Sequence, residues 1–124
     1  MFSGEFDFVS GMQAGDKILD LEKRPTAVFA ANDDMAAGVL VSALKRNVKI
    51  PEQLSIAGFD DSELAGKMWP QITTVRQPIF EYGKRAAEIL ISKSRTRKKQ
   101  TPDKIKIERL NYKLVLRNST SQHL

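Results

Sequence analysis

Two apolar runs in this chain each end in acidic or amide residues: Val28-Phe29-Ala30-Ala31 runs into Asn32-Asp33-Asp34, and Leu54-Ser55-Ile56-Ala57-Gly58-Phe59 runs into Asp60-Asp61. Short apolar runs punctuated in this way read as parallel strands that deliver polar groups to one edge of a sheet. In an open α/β sheet, ligands bind in the crevice beyond the carboxyl ends of the strands, so side chains at those ends are the first candidates for function.

The rest of the pattern agrees with such a sheet. Between the two runs, Asn32 or Asp33 can cap a helix whose Met35, Val39, Leu40, Ala43 and Leu44 fall at helical spacing. Lys45 and Arg46 sit near its negative end, and Asn47 tolerates the left-handed conformation that ends many helices. Strand, helix and strand over this length make a parallel crossover unit. The run Thr26 to Ala31 is unbroken, as for a strand buried on both faces. Upstream, residues 10–23 carry Met12, Ile18, Leu19 and Leu21 among polar residues, a loosely amphipathic helix that Pro25 stops.

Downstream, Ile72-Thr73-Thr74-Val75 reads as a third strand, and Pro78 suits the first turn of a helix with Ile79, Tyr82, Ala86, Ile89 and Leu90 on one face. Beyond it Ile105, Ile107, Leu110, Tyr112, Leu114 and Leu116 alternate with polar residues, one long strand or two short ones with that face buried. The expected fold is α/β, a parallel sheet with helices on both faces, built from four or five strands and three main helices.

Composition removes several classes of function. The 124-residue chain has no cysteine, so a disulfide framework, a thiolate metal site and a cysteine nucleophile are all unavailable. His123 is the lone histidine, one residue from the end, where a frayed terminus does not hold an imidazole for general-base work. No stretch approaches the roughly 20 apolar residues of a membrane span, and the first residues have neither a basic start nor a long apolar core. Of the net charge of +5, the segment Lys93 to Lys113 contributes +7, with nine Lys or Arg against Asp103 and Glu108. Its densest part, residues 93–99, has no interleaved aromatic for base stacking and no helix-turn-helix beside it, so it reads as a solvated basic linker rather than a nucleic-acid site.

The acidic pairs could hold a divalent metal or act as a general acid and base. Neither use comes with a nucleophile, a phosphate loop or a metal-ligand spacing, which argues against an enzyme and against a metal. Asp33, Asp34 and Asp61 read as cap and turn residues. Asp60 differs, because it follows Gly58-Phe59 directly at a strand end, where a carboxylate can accept charge-assisted hydrogen bonds from a ligand. Phe6 and Phe8 flank Asp7 in a polar stretch and read from the residues alone as cover for the end of the core.

Pro25-Thr26-Ala27-Val28-Phe29-Ala30-Ala31-Asn32-Asp33, Met35-Ala36-Ala37-Gly38, Ile50-Pro51, Leu54 to Asp61, Pro70, Thr73-Thr74-Val75, Gln77-Pro78, Gly83 and Leu114-Val115-Leu116-Arg117-Asn118-Ser119 occur in one order across nearly the whole chain. Together they closely resemble the carboxyl-terminal effector-binding region of LacI/GalR-type bacterial transcriptional repressors. The resemblance implies an incomplete lobe of the type I periplasmic-binding-protein fold, a cytoplasmic location, and an effector that is a sugar, nucleoside or purine bound between two lobes. It implies no cofactor, and DNA contact only through a helix-turn-helix headpiece that this chain does not include. A fragment of a periplasmic-type sugar-binding protein is the alternative on the same fold.

Position by position, the resemblance makes Phe6 the aromatic that stacks on the effector and Asn32 and Asp60 the side chains that hydrogen-bond it, with Gln77 near Asp60 at the hinge. It makes Ala37, Leu40 and Met68 contacts of a homodimer. It assigns residues 1–77 and 111–124 to the carboxyl-terminal lobe. Residues 78–110, including the basic linker 93–104, go to a helix and a strand that normally belong to the other lobe. The arginine that usually reaches effector hydroxyls lies upstream of Met1, which leaves a half-cleft. The orphaned helix would then bury Ile79, Tyr82, Ala86 and Leu90 against another copy.

Overall fold

The structure, a computed structural model, describes residues 1–95 and 107–122. The basic run beyond Arg95, Ile105 of the expected last strand and His123 lie outside the described residues. Along the chain the elements are α1 (Phe8–Leu19), β1 (Ala27–Phe29), α2 (Asp33–Lys45), β2 (Ser55–Ala57), α3 (Glu63–Lys67), β3 (Thr74–Arg76), α4 (Ile79–Arg95) and β4 (Lys113–Val115). They fall into two compact units, Met1–Arg76 with Lys113–Leu124, and Gln77–Tyr112.

In the first unit the crossover expected from the sequence is present, with β1 and β2 parallel in the register Ala27 to Ser55, Val28 to Ile56 and Phe29 to Ala57. Asn32 starts the intervening helix, its side-chain oxygen accepting the Met35 N–H at 2.9 Å and satisfying one of the orphan donors of the first turn. Asn47 ends it at φ 55°. The Asn47 N–H reaches Leu44 O at 3.0 Å and the Val48 N–H reaches Ala43 O at 3.0 Å, the paired bonds of a Schellman ending, with Val48 folded into the core.

Helix α1 begins earlier than its apolar spacing predicts because the Asp7 carboxylate accepts the Ser10 N–H at 2.7 Å and caps it. It also ends earlier, at Leu19. Of the expected face Ile18 is buried and Leu19 packs against the core, but the other buried residues are the small Gly11, Ala14 and Gly15. The reason is the α2 backbone: a Cβ on Gly11 would stand 2.4 Å from Met35 O, and one on Gly38 would stand 2.2 Å from Phe8 O. Only glycine at both places permits this helix-helix approach. Leu40, Leu54, Ile56 and Ile72 are the large apolar side chains fully enclosed in the resulting core.

Two expectations for the strands are corrected. The unbroken run at β1 does not mean burial on both faces, because among the described residues β1 is an edge strand with β2 as its one partner and Phe29 is 67% exposed. The alternation at β4 also points the other way from the one predicted, with Tyr112, Leu114 and Leu116 exposed and Arg117 and Ser119 turned inward. Hydrogen bonds decide this register. The buried Ser119 hydroxyl donates to Ile56 O at 2.5 Å and accepts the Thr73 N–H at 2.8 Å. Its carbonyl accepts the Ile56 N–H at 2.8 Å. Ser119 thus fills the gap between β2 and β3, which also meet at the parallel bridge of Ala57 with Thr73. β3 pairs antiparallel with β4.

The second unit is α4 followed by a segment without regular structure from Ile107 to Tyr112. Within it Arg85 makes a two-pronged pair with Glu108, at 2.5 Å and 2.7 Å, and reaches Glu88 at 3.1 Å. Its apolar residues Ile79, Phe80, Tyr82, Leu90 and Ile91 are exposed. No described helix is long and apolar enough to cross a membrane.

Candidate functional site

The candidate site is the carboxyl edge of β1 and β2. Because Phe29 lies opposite Ala57, Asn32 and Asp60 follow their strands at the same offset and emerge on one edge of the sheet. Asn32 does two jobs there. While its oxygen caps α2, its amide nitrogen donates to Phe6 O at 2.8 Å, which fixes the backbone of the segment ahead of α1. An asparagine amide has two N–H donors, of which one is engaged with Phe6 O.

Phe6 is held at φ 59° and is 66% exposed, so it does not cover the core as its sequence context predicts. Phe8 takes that role and packs against the core cluster. The structure therefore ties the Phe6 backbone to the Asn32 amide and leaves Phe6 exposed.

At the second strand end, Asp60 and Asp61 both have positive φ, 104° and 56°. The turn is tied down from three sides. The Asp60 N–H donates to Val75 O at 2.9 Å, the Asp61 N–H to Thr74 Oγ1 at 3.3 Å, and the Ser62 N–H to Asp33 Oδ2 at 2.7 Å. Asp33 is buried, and its other oxygen accepts the Thr74 hydroxyl at 2.6 Å. Gly58 makes room for that carboxylate, since a Cβ there would lie 2.3 Å from Asp33 Oδ1.

The paired carboxylates thus separate by environment. The Asp60 residue is exposed. The Asp61 side chain is 5% exposed and ion-paired with Arg76 and with Arg117, the latter at 2.5 Å. Burial by itself would raise the Asp61 carboxyl, but hydrogen bonds from Arg117 and then Arg76, with their charges, hold it below the usual carboxylate range. Asp61 was expected to be a turn residue and Asp33 a residue that opens a helix. Both are, and both also clamp the strand-end turn.

Gln77 begins the second unit, partly buried. Ala37 and Leu40 are fully enclosed in the core of the first unit, so the expectation that they touch a second copy is corrected: a side chain without accessible surface forms no intersubunit contact. Met68 is partly buried against that core and is the one of the three with surface to offer. Arg117 and Thr74 were legible as parts of the Leu114–Ser119 and Thr73–Val75 motifs, but their roles depend on pairings across the fold that no local spacing encodes.

Cavities of about 550 Å³ beside Thr26, Gln53 and Ser121 and about 460 Å³ beside Phe2, Ile18 and Val28 are not lined by Phe6, Asn32 or Asp60. Among the described residues, no group of three acidic or histidine side chains is placed to hold a metal.

Residues 4–120 match the model of a periplasmic binding protein-like domain. The HTH-type transcriptional repressor PurR of Vibrio cholerae is 42% identical over 93 residues, covering 75% of this chain and 28% of the repressor. The HTH-type transcriptional repressor CytR of Escherichia coli is 36% identical over 117 residues, covering 94% of this chain and 33% of CytR. The crystal structure of a LacI family transcriptional regulator from Enterococcus faecium with bound ribose superposes with a TM-score of 0.79 at 31% identity, over 96% of this chain and 42% of that one. The chain spans about a third of the length of the curated relatives it matches.

Proposed function

The chain belongs to the periplasmic binding protein-like domain family, in the form found in LacI-type transcriptional regulators, and from that premise we propose that it forms the carboxyl-terminal wall of an effector cleft. The effector is a sugar, nucleoside or purine. Phe6 stacks on its ring face, Asn32 donates to it and Asp60 accepts from its hydroxyls or ring nitrogens, with Gln77 contributing at the hinge. The supporting observation is the placement of Asn32 and Asp60 at one offset beyond in-register parallel strands, with the exposed Phe6 tied to Asn32 at 2.8 Å. Ribose in the similar Enterococcus regulator supports a polyhydroxyl ligand.

None of these groups is a nucleophile or a paired acid and base, and the role is recognition rather than catalysis. In a full-length regulator, a ligand gripped from both lobes favours the closed form by its differential affinity for that form, and so changes DNA affinity through a helix-turn-helix headpiece. Residues 1–77 and 111–124 belong to this wall, and residues 78–110 serve the opposite lobe. The regulator acts as a homodimer in the cytoplasm, with Met68 on the contact surface.

One wall grips weakly. Titration of the ¹⁵N-labelled chain with ribose, cellobiose, adenosine and hypoxanthine should show millimolar binding to at least one of them, with shifts concentrated at Phe6, Asn32 and Asp60 and abolished by Asp60→Ala. Shifts centred elsewhere, or micromolar affinity of the chain alone by calorimetry, would overturn the reading.

A further inference from the structure

Two neighbouring non-glycine residues in the left-handed region are uncommon, and such backbone persists where the surroundings over-determine it. Asp60 at φ 104° and Asp61 at φ 56° form such a pair at the apex of the turn after β2. The three backbone N–H bonds of Asp60, Asp61 and Ser62 fix where the turn enters and leaves. They do not fix which way its side chains divide. The Asp61 carboxylate points inward to Arg76 and Arg117, while Asp60 stays exposed.

Arg117 is itself immobilised. Its Nη1 donates to Ile72 O at 2.8 Å, its Nη2 to Asp61 Oδ1 at 2.5 Å, and its backbone N–H to Thr73 Oγ1 at 2.9 Å. The guanidinium fork therefore ties the turn to the buried segment Ile72–Thr73 that leads into β3, in the planar geometry that arginine offers and lysine does not. A carboxylate held this way is an anchor rather than a ligand contact.

We infer that Asp61 is the positioning residue for Asp60: held by Arg76 and Arg117, it locks the turn so that the neighbouring carboxylate is presented to the effector before the effector arrives. The inference rests on the reading of Asp60 as an effector contact. Pre-orientation of this kind raises affinity by removing the ordering cost from the binding step.

The test uses amide hydrogen exchange on the ¹⁵N-labelled chain, which reads the turn without any ligand. Asp61→Asn should speed exchange at Asp60, Asp61 and Ser62 at least tenfold and leave the sheet amides of Ala30 and Ile56 unchanged. Arg76→Ala, at a side chain that is 55% exposed and outside the core, should do the same to a smaller degree and guards against an Asp61 variant that fails to fold. No change at the turn overturns the proposal, and so does uniform acceleration across turn and sheet, which would mean a merely structural role.

Ribose and hypoxanthine titrations supply the second arm. Where either shifts the Asp60 resonance of the native chain, Asp61→Asn should weaken its binding at least threefold, and equal affinity overturns the positioning role. Where neither these two nor cellobiose or adenosine shifts it, the reading of Asp60 as a ligand contact fails, and with it the ligand half of the inference, while the exchange result still decides whether Asp61 holds the turn.

Discussion

At Gly58 a single methyl group decides whether the Asp33 carboxylate can stay between Thr74 and Ser62. The 2.3 Å approach to Asp33 Oδ1 leaves no room for one. We expect Gly58→Ala to lower stability by roughly 1–3 kcal/mol, the usual range for overpacking, as measured by urea unfolding. A neutral result would show that the carboxylate moves away freely. Asp61 makes a different prediction, in pH. Its carboxyl is held below the ordinary value of about 3.9, so it releases its proton more readily folded than unfolded. The stability it contributes is therefore complete above the ordinary value and is lost as pH falls through and below it. Thermal unfolding of the native chain should weaken more steeply between about pH 5 and 3 than that of Asp61→Asn, in which this titration is absent. Parallel pH profiles would contradict the ion triad.

Among the elements, the α1–α2 contact is the one whose sequence signal is easiest to misread. Its seam is made of Gly11, Gly15 and Gly38, residues an apolar-face reading discards, while Leu21 is exposed. Alanine is favoured over glycine in a helix interior by about 1 kcal/mol, yet at Gly38 the added carbon would meet Phe8 O at 2.2 Å, and the backbone clash wins. Gly38→Ala should destabilise by roughly 1–3 kcal/mol in denaturant titrations, and a stabilised variant would mean that the helices stand farther apart. Leu40 on the same helix is fully buried, so Leu40→Ala should cost roughly 2–5 kcal/mol and leave the oligomeric state as it was. Change in association without loss of stability would return Leu40 to an interface. In β4 the alternation that marks a strand is real, but the inward side belongs to Arg117 and Ser119 because their hydrogen bonds to Asp61, Ile56 and Thr73 outweigh the burial of three exposed apolar residues.

For the whole molecule, the second unit presents Ile79, Phe80, Leu90 and Ile91 to solvent on one helix. Exposed apolar surface of this extent favours association. Light scattering should show a mass that rises with concentration and falls back for Phe80→Lys, whereas a monomer at every concentration would contradict that expectation. The parallel crossover, the Asn32 cap, the Asn47 ending and the polar strand ends were legible in the residues alone, because each depends on chemistry within a few positions of itself. The family resemblance implies that Phe6, Asn32 and Asp60 face one effector. What a local pattern could not contain was every feature that depends on residues far apart in the chain: the glycine seam, the inverted face of β4, the enclosure of Ala37 and Leu40, and the Asp61–Arg117 pair. Sequence by itself determined the parallel crossover and which side chains stand at its strand and helix ends, since those follow from short-range spacing and capping, whereas the alternating run from Ile107 to Tyr112 reads as strand and forms none. Only the tertiary structure decided that one of two adjacent carboxylates is buried against Arg76 and Arg117 while the other residue is exposed, since a carboxylate's environment is set by which cations the fold brings within hydrogen-bonding distance.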